Sequence, residues 1–288
     1  MMDISIVKKN AFCAILLGSS VNDYIKYVMT LGYSLYHNNI NKYDLVCIIT
    51  RDIDDINRRY LSIYYNKLIE VDYISYNGCD LTLLMCLSLT EYDKVVYLDP
   101  FIIVASSIDS LFDLRTPASI FSDSWDMDRR SKRQILYKHG ISMDPMLIKK
   151  RLYNGFLCYD SIFVFSPIDN VLTLINKMIQ RMLCGGWKGS PHCRSSFLSQ
   201  FIIKFITTAD FYICGNKRMK KWYNISSKYA FIPWKDKLIY DNEEPKCFWY
   251  HNLNKKLYYI NRVSWWATAN DVINEKEELT QLYKKIVS

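Results

Sequence analysis

Apolar residues fall along the chain in two alternating rhythms. Short continuous runs occur at 11–17 (AFCAILL), Asp44–Thr50 (DLVCIIT), 67–74 (KLIEVDYI) and 94–104 (KVVYLDPFIIV). Runs of this length, rich in β-branched residues, predict buried strands. Pro100, which has no amide hydrogen, interrupts the fourth. Between the runs the period changes. At 23–38 the residues Tyr24, Val28, Leu31 and Leu35 recur every three or four positions and share one face of a helix. Segments 53–65 and 81–90 read as helices too. Strand–helix alternation with continuous apolar strands predicts an α/β fold, its sheet mainly parallel and covered by helices on both faces. Ligands of such sheets bind beyond the carboxyl ends of the strands. That rule singles out 17–23, 50–52 and Asp99.

The second half reads differently. Segment 126–151 carries Arg129, Arg130, Lys132, Arg133, Lys138, Lys149, Lys150 and Arg151 with few apolar residues, which predicts an exposed insertion. Apolar structure resumes at 157–165 (LCYDSIFVF). A helix is predicted at 169–184, with Val171, Ile175, Met178 and Met182 on one face and Pro167 just before it. A Gly-rich turn follows at 184–194 (CGGWKGSPHCR), and 274–287 is amphipathic through Leu279, Leu282 and Ile286. With no internal repeat, low-complexity tract or clear linker, a single domain is expected.

Composition narrows the class. The 288 residues are 50% hydrophobic and 23% charged, which excludes wholesale disorder. Lys and Arg number 37 against 29 Asp and Glu, a net charge of +8 that suits phosphate-bearing ligands or simple solubility. The nine cysteines are scattered and form no CxxC, against a zinc ribbon or a disulfide framework and in favour of a reducing compartment, the cytoplasm. His192 and Cys193 lack a second ligand pair. No run reaches the roughly 18 apolar residues of a membrane span. Lys8 and Lys9 before AFCAILLG, then Ser19 and Ser20, imitate a short leader, but the apolar stretch is at the lower limit for one and the strand reading is preferred. Basic runs at 129–133 and 217–221, the latter next to Trp222 and Tyr223, read as solvated faces or as a nucleic-acid grip.

A set of segments, taken in order, resembles one family. These are AFCAILL, then Asp23-Tyr24, then LGYSL at 31–35, then LVCIIT, then SLTEYDKVVYLDPFIIVASSIDSLFDL. PASIFSDSW with Asp123 and Trp125, YNISS at 223–227 and His251-Asn252-Leu253-Asn254 follow. Together they resemble the glycogenin-like retaining transferases of glycosyltransferase family 8. The resemblance implies the GT-A fold, a Rossmann-like single domain. Its nucleotide-binding half would span about 8–125, with the basic insertion at about 126–151, an acceptor-side half at about 152–270 and a C-terminal helix at about 271–288. It also implies a uridine diphosphate sugar as donor, a glycan or protein acceptor, Mn2+ or Mg2+ as cofactor and a homodimer. Asp99 and His251 would be the metal ligands, and Leu17, Tyr24, Asp99 and His251 would line the donor site. Asp123 would orient the sugar, and Lys255 or Lys256 would stabilise the leaving diphosphate. The chemistry is coherent. A diphosphate gains charge as the glycosidic bond breaks, which a cation neutralises, while the departing sugar is oxocarbenium-like.

The departures bear on the same site. The family's Asp-x-Asp is Asp99-Pro100-Phe101, and a phenyl ring cannot ligate a hard cation. The family's lysine before the SLT string falls near Leu83, and its strand asparagine falls near Tyr159, with Asp160 one position off. Trp187-Lys188-Gly189 follows Gly185-Gly186 in place of an Asp-Gln pair, and Asn254 replaces a glycine. Such departures resemble those of glycogenin-like proteins from large insect DNA viruses. Each residue has a plain reading as well: Asp99 as a turn cap, Tyr24 as core, His251 as a packed surface residue, Asp123 as a turn residue, the two lysines as solvated. Three functions are therefore in play: a glycosyltransferase-like protein that binds a nucleotide sugar, a catalytically inactive relative serving as an interaction module, and a nucleic-acid binder.

Overall fold

The structure, a computed structural model, describes residues 9–18, 21–39, 42–76, 79–121, 138–144, 148, 158–184, 202, 205–206, 221–230 and 245–249. The first apolar run forms β1 (Asn10–Leu16), buried at every position after Asn10. α1 (Val21–Asn39), β2 (Asp44–Thr50), α2 (Asp55–Leu61) and β3 (Lys67–Val71) follow. A small hairpin of β4 (Ser75–Tyr76) and β5 (Cys79–Asp80) and a 3-10 turn at Thr82–Ser88 lead to β6 (Lys94–Leu98). After these come β7 (Ile102–Val104), a 3-10 turn at Asp109–Asp113, β8 (Ala118–Phe121), β9 (Cys158–Phe165) and α3 (Val171–Cys184). β10 (Tyr223–Asn224) and β11 (Cys247–Trp249) complete the described strands.

Seven strands form one sheet in the order β10-β8-β9-β6-β1-β2-β3. β6, β1, β2 and β3 are parallel, and β10 is parallel to β8. β9 alone reverses, running antiparallel to β6 and β8. The mainly parallel α/β sheet expected from the apolar pattern is present. Successive β1 side chains point to opposite faces. Ala11, Cys13 and Ile15 pack with the 3-10 turn at Thr82–Ser88 and with Leu174, Ile175 and Met178 of α3. Phe12, Ala14 and Leu16 pack with Val28 and Leu31 of α1 and Leu61 of α2. Both faces are dry, which is why these strands read as unbroken apolar runs. Each fully buried Leu, Ile or Val contributes about 1.5–3 kcal/mol.

Three expectations change. The run 94–104 is two strands, because the chain turns at Asp99-Pro100 and β7 leaves the main sheet to pair antiparallel with β11. The segment 81–90 forms a 3-10 turn, since the Thr82 hydroxyl is tied to both backbone groups of Ile74 and the Thr82 amide donates to Asp80. Part of the expected exposed insertion is packed. Residues 138–144 run along β10, with the Gly140 amide donating to the Asn224 carbonyl at 2.8 Å and the Met143 amide to the Trp222 carbonyl at 2.7 Å. Met143 and Ile148 are buried. The other residues of 126–151, the turn at 185–194 and the expected C-terminal helix lie outside the described residues. The leader-like string is β1, at the heart of the sheet. Among the described residues no helix is long and apolar enough to cross a membrane.

Candidate functional site

From β3 at one edge the chain crosses to β6 on the far side of β1. Connections therefore diverge between β1 and β6, and the carboxyl ends of these two strands are where a ligand of such a sheet would bind. Leu17 and Gly18 follow β1, and Asp99 follows β6.

Asp99 is fixed from several sides. Its amide donates to the Ser161 carbonyl of β9 at 2.8 Å, and the Ile102 amide donates to the Asp99 carbonyl at 3.0 Å to close the turn around Pro100. Its Oδ1 accepts the Phe101 amide at 2.9 Å and the Trp249 indole Nε1 at 3.3 Å. Trp249 is buried, and β11 sets it opposite Ile102 of β7. β7 is in turn bound to α1. The Val104 amide donates to Ser34 Oγ at 3.1 Å, and its carbonyl accepts Asn38 Nδ2 at 2.9 Å. Asp99 thus caps its turn, directly after the carboxyl end of β6.

Phe101 packs on α1, its ring centroid 5.3 Å from Tyr24 and 4.8 Å from Tyr27. Tyr24 is 37% exposed while Val28, Leu31 and Leu35 on its face are buried. The core reading of Tyr24 is thereby corrected. It sits one turn too early to reach the sheet and is supported by Phe101. On the β1 side Leu17 is partly buried against the core, and the Gly18 amide donates to Thr50 Oγ1 at 2.8 Å. In the core Cys13 and Cys86 meet with sulfurs 3.5 Å apart. Burial pushes the Cys47 and Cys86 thiols well up, so neither supplies a thiolate near neutral pH.

A divalent cation needs several oxygen or nitrogen ligands converging on one point. Of the Asp-x-Asp pair only Asp99 is left. One of its oxygens already accepts two N–H groups, and a ring packed on other rings stands at position 101. Among the described residues no group of three His, Cys, Asp or Glu could hold a metal ion. The described residues do not fit the cation that the resemblance implies. His251, Asp123, Lys255 and Lys256 lie outside the described residues, as do His192, Cys193 and both basic runs except Lys221. Of the expected donor-site residues, Leu17 follows β1, Asp99 follows β6 and Tyr24 packs on Phe101. Sequence reasoning missed Trp249, Tyr27 and the role of Ser34. Tyr27 was findable, since it lies three residues from Tyr24 on a predicted helix.

The fold defines a class. It matches an active-site mutant of LgtC with a TM-score of 0.56 at 11% identity, over 91% of this chain and 95% of that one. It also matches the galactosyltransferase LgtC in complex with donor and acceptor sugar analogs, with a TM-score of 0.51 at 12% identity over 84% of this chain and 87% of that one. The architecture is GT-A. In sequence the chain is glycogenin-like and divergent. It is 35% identical over 108 residues to human glycogenin-2, covering 33% of this chain and 21% of that protein. It is 30% identical over 120 residues to human glycogenin-1, covering 37% and 34%. An uncharacterized protein of Acanthamoeba polyphaga mimivirus is 37% identical over 121 residues, covering 38% and 42%. The chain therefore spans less than half the length of the curated relatives it matches. No family model matches it.

Proposed function

We propose that the chain binds a nucleotide sugar, a uridine diphosphate sugar, in the crevice at the carboxyl ends of β1 and β6, without a divalent cation. What supports this reading is the placement of Gly18 after β1 and of Asp99 after β6, the two strands that flank the topological switch point of a GT-A fold, with Tyr24 packed on Phe101 two residues beyond Asp99. The exposed Tyr24 ring offers a face for the base, and Leu17 lies at the end of β1. Asp99 frames the diphosphate end through its hold on Trp249 and on the 99–102 turn. His251, Lys255 and Lys256 supply the positive charge that a cation would otherwise give, as lysines can, and Asp123 takes sugar hydroxyls. If the hexose is transferred, its bond to the diphosphate breaks and a bond to an acceptor hydroxyl forms with retention, the hydroxyl proton leaving to the diphosphate or solvent.

A specific observation favours a second reading. Phe101 packs on Tyr24 and Tyr27 where the second carboxylate of the family stands. A site so altered suits a binding module that keeps the donor pocket and lacks the chemistry. Thermal melts with uridine diphosphate and uridine diphosphate glucose, with and without manganese, test both readings, followed by an assay for released diphosphate. Saturating ligand at about 100 times its Kd raises stability by about 2.7 kcal/mol. A shift that needs no manganese is expected. Release of uridine diphosphate then marks an enzyme, and binding without release marks the module. No shift with either nucleotide, with or without manganese, would overturn the proposal.

A further inference from the structure

The loops after β1 and β2 meet in a way that the resemblance does not explain. The Gly18 amide donates to Thr50 Oγ1 at 2.8 Å and ties the two loops together. Two residues further on, the Asp52 carboxylate lies directly over Gly18. A Cβ at position 18 would stand 2.0 Å from Asp52 Cγ and 2.2 Å from each of its oxygens. Only glycine leaves room for the acid in that place. Asp52 is exposed, and among the described residues its carboxylate has no hydrogen-bond or ion-pair partner. Its neighbours pair elsewhere. The Arg51 Nε lies 3.0 Å from Asp72 and 3.7 Å from Glu70, and Arg58 binds Glu70 at 2.6 Å. An ionised carboxylate only accepts hydrogen bonds, so what it selects is a group with paired donors.

Position says which group. β3, β2, β1 and β6 stand in the same order as the first half of a doubly wound nucleotide-binding sheet. In that arrangement the loop after the first strand approaches the phosphates, and an acid further on takes the ribose hydroxyls. Asp52 occupies the end of the second strand. We infer that Asp52 is the ribose-binding residue of this site, its two oxygens accepting the vicinal hydroxyls, with Gly18 required so that the carboxylate can reach over the crevice. The inference rests on the nucleotide reading given above and deepens it. The site then selects ribonucleotides over 2′-deoxyribonucleotides.

The test measures Kd by calorimetry for uridine diphosphate and for its 2′-deoxy analogue, on the full chain and on Asp52→Ala and Gly18→Ala. The wild type is expected to prefer the ribonucleotide by about tenfold or more, the size of a hydrogen bond to a charged group. Asp52→Ala should bring the two affinities to within about twofold by weakening the ribonucleotide alone. Gly18→Ala should do the same by displacing the acid. Among the described residues Asp52 holds no other side chain, so a cooperative melt near that of the wild type should accompany the loss. Equal affinities in the wild type, or a preference that survives Asp52→Ala, would overturn the inference and leave the nucleotide reading standing. Binding of neither nucleotide to the wild type, with or without manganese, would remove both.

Discussion

At the scale of single residues, Asp99 holds the most consequences. Its Oδ1 is the acceptor for a backbone amide and for the indole of a buried tryptophan. Asp99→Ala leaves both donors short of a partner, at a cost of about 1–3 kcal/mol. Asp99→Asn keeps an oxygen in the same place and should recover most of that loss in urea denaturation. The pair also separates two chemistries for the crevice. Where no cation bridges, a carboxylate near a diphosphate repels it, so Asp99→Asn should bind uridine diphosphate at least as tightly as the wild type. A cation-bridged site would lose affinity on the same change. Calorimetry on the two variants reads the difference. A marked loss with Asp99→Asn, present only when manganese is added, would show that a cation is held after all.

At the scale of elements, α1 joins the core to the site. Its LGYSL string has a mechanical meaning. Gly32 lets α1 approach the ring of Tyr65, to which a Cβ would come within 2.7 Å, while Ser34 and Asn38 hold β7. The Tyr65 hydroxyl donates to the Val28 carbonyl of α1 at 2.7 Å, and the residue is buried, so the ring cannot yield easily. Gly32→Ala would gain about 1 kcal/mol of helix propensity. It would lose about 1–3 kcal/mol to overpacking. Net destabilisation is expected, read as a lowered midpoint in urea with an unchanged slope; an unchanged or raised midpoint would mean that the two elements are less tightly packed than they stand. Much of this level was legible in the sequence, because period and length are local properties. Asp44–Thr50 was predicted at the bounds it has, and α1 within two residues at each end. The errors lie where long-range contacts decide. Nothing local tells that Ile102–Val104 pairs with Cys247–Trp249, more than 140 positions away, or that Thr82 is tied to Ile74. The same limit hid Trp249, and it hid the approach of Asp52 to Gly18, although the end of β2 was singled out as a strand end. Asp99 was found because a strand end is a local feature.

At the scale of the molecule, the sheet divides its labour between its two ends. The carboxyl ends carry the proposed nucleotide site. The amino ends carry a charge network that joins four strands. Lys9, just before β1, binds Asp44 at the start of β2 at 2.8 Å, and Tyr92, just before β6, donates to the same carboxylate at 2.7 Å. Lys67, at the start of β3, binds Glu91 at 3.2 Å, and both lysines lie over the Tyr92 ring. Partial burial by itself raises the Asp44 carboxyl. The hydrogen bonds from Lys9 and Tyr92, with the charges of Lys9 and Lys67, outweigh it and leave the group below its ordinary range. A carboxyl held lower in the folded than in the unfolded chain stabilises the fold above its ordinary value, and that stabilisation is lost as the pH falls through the folded value. Asp44→Asn should therefore lower the melting temperature at neutral pH, and the gap to the wild type should close as acid protonates Asp44. Asp44 lies at the opposite end of the strands from the crevice, so its loss should leave the affinity for uridine diphosphate unchanged. A gap that persists at low pH would assign the effect to side-chain packing, and a fall in nucleotide affinity would mean that the two ends of the sheet are coupled.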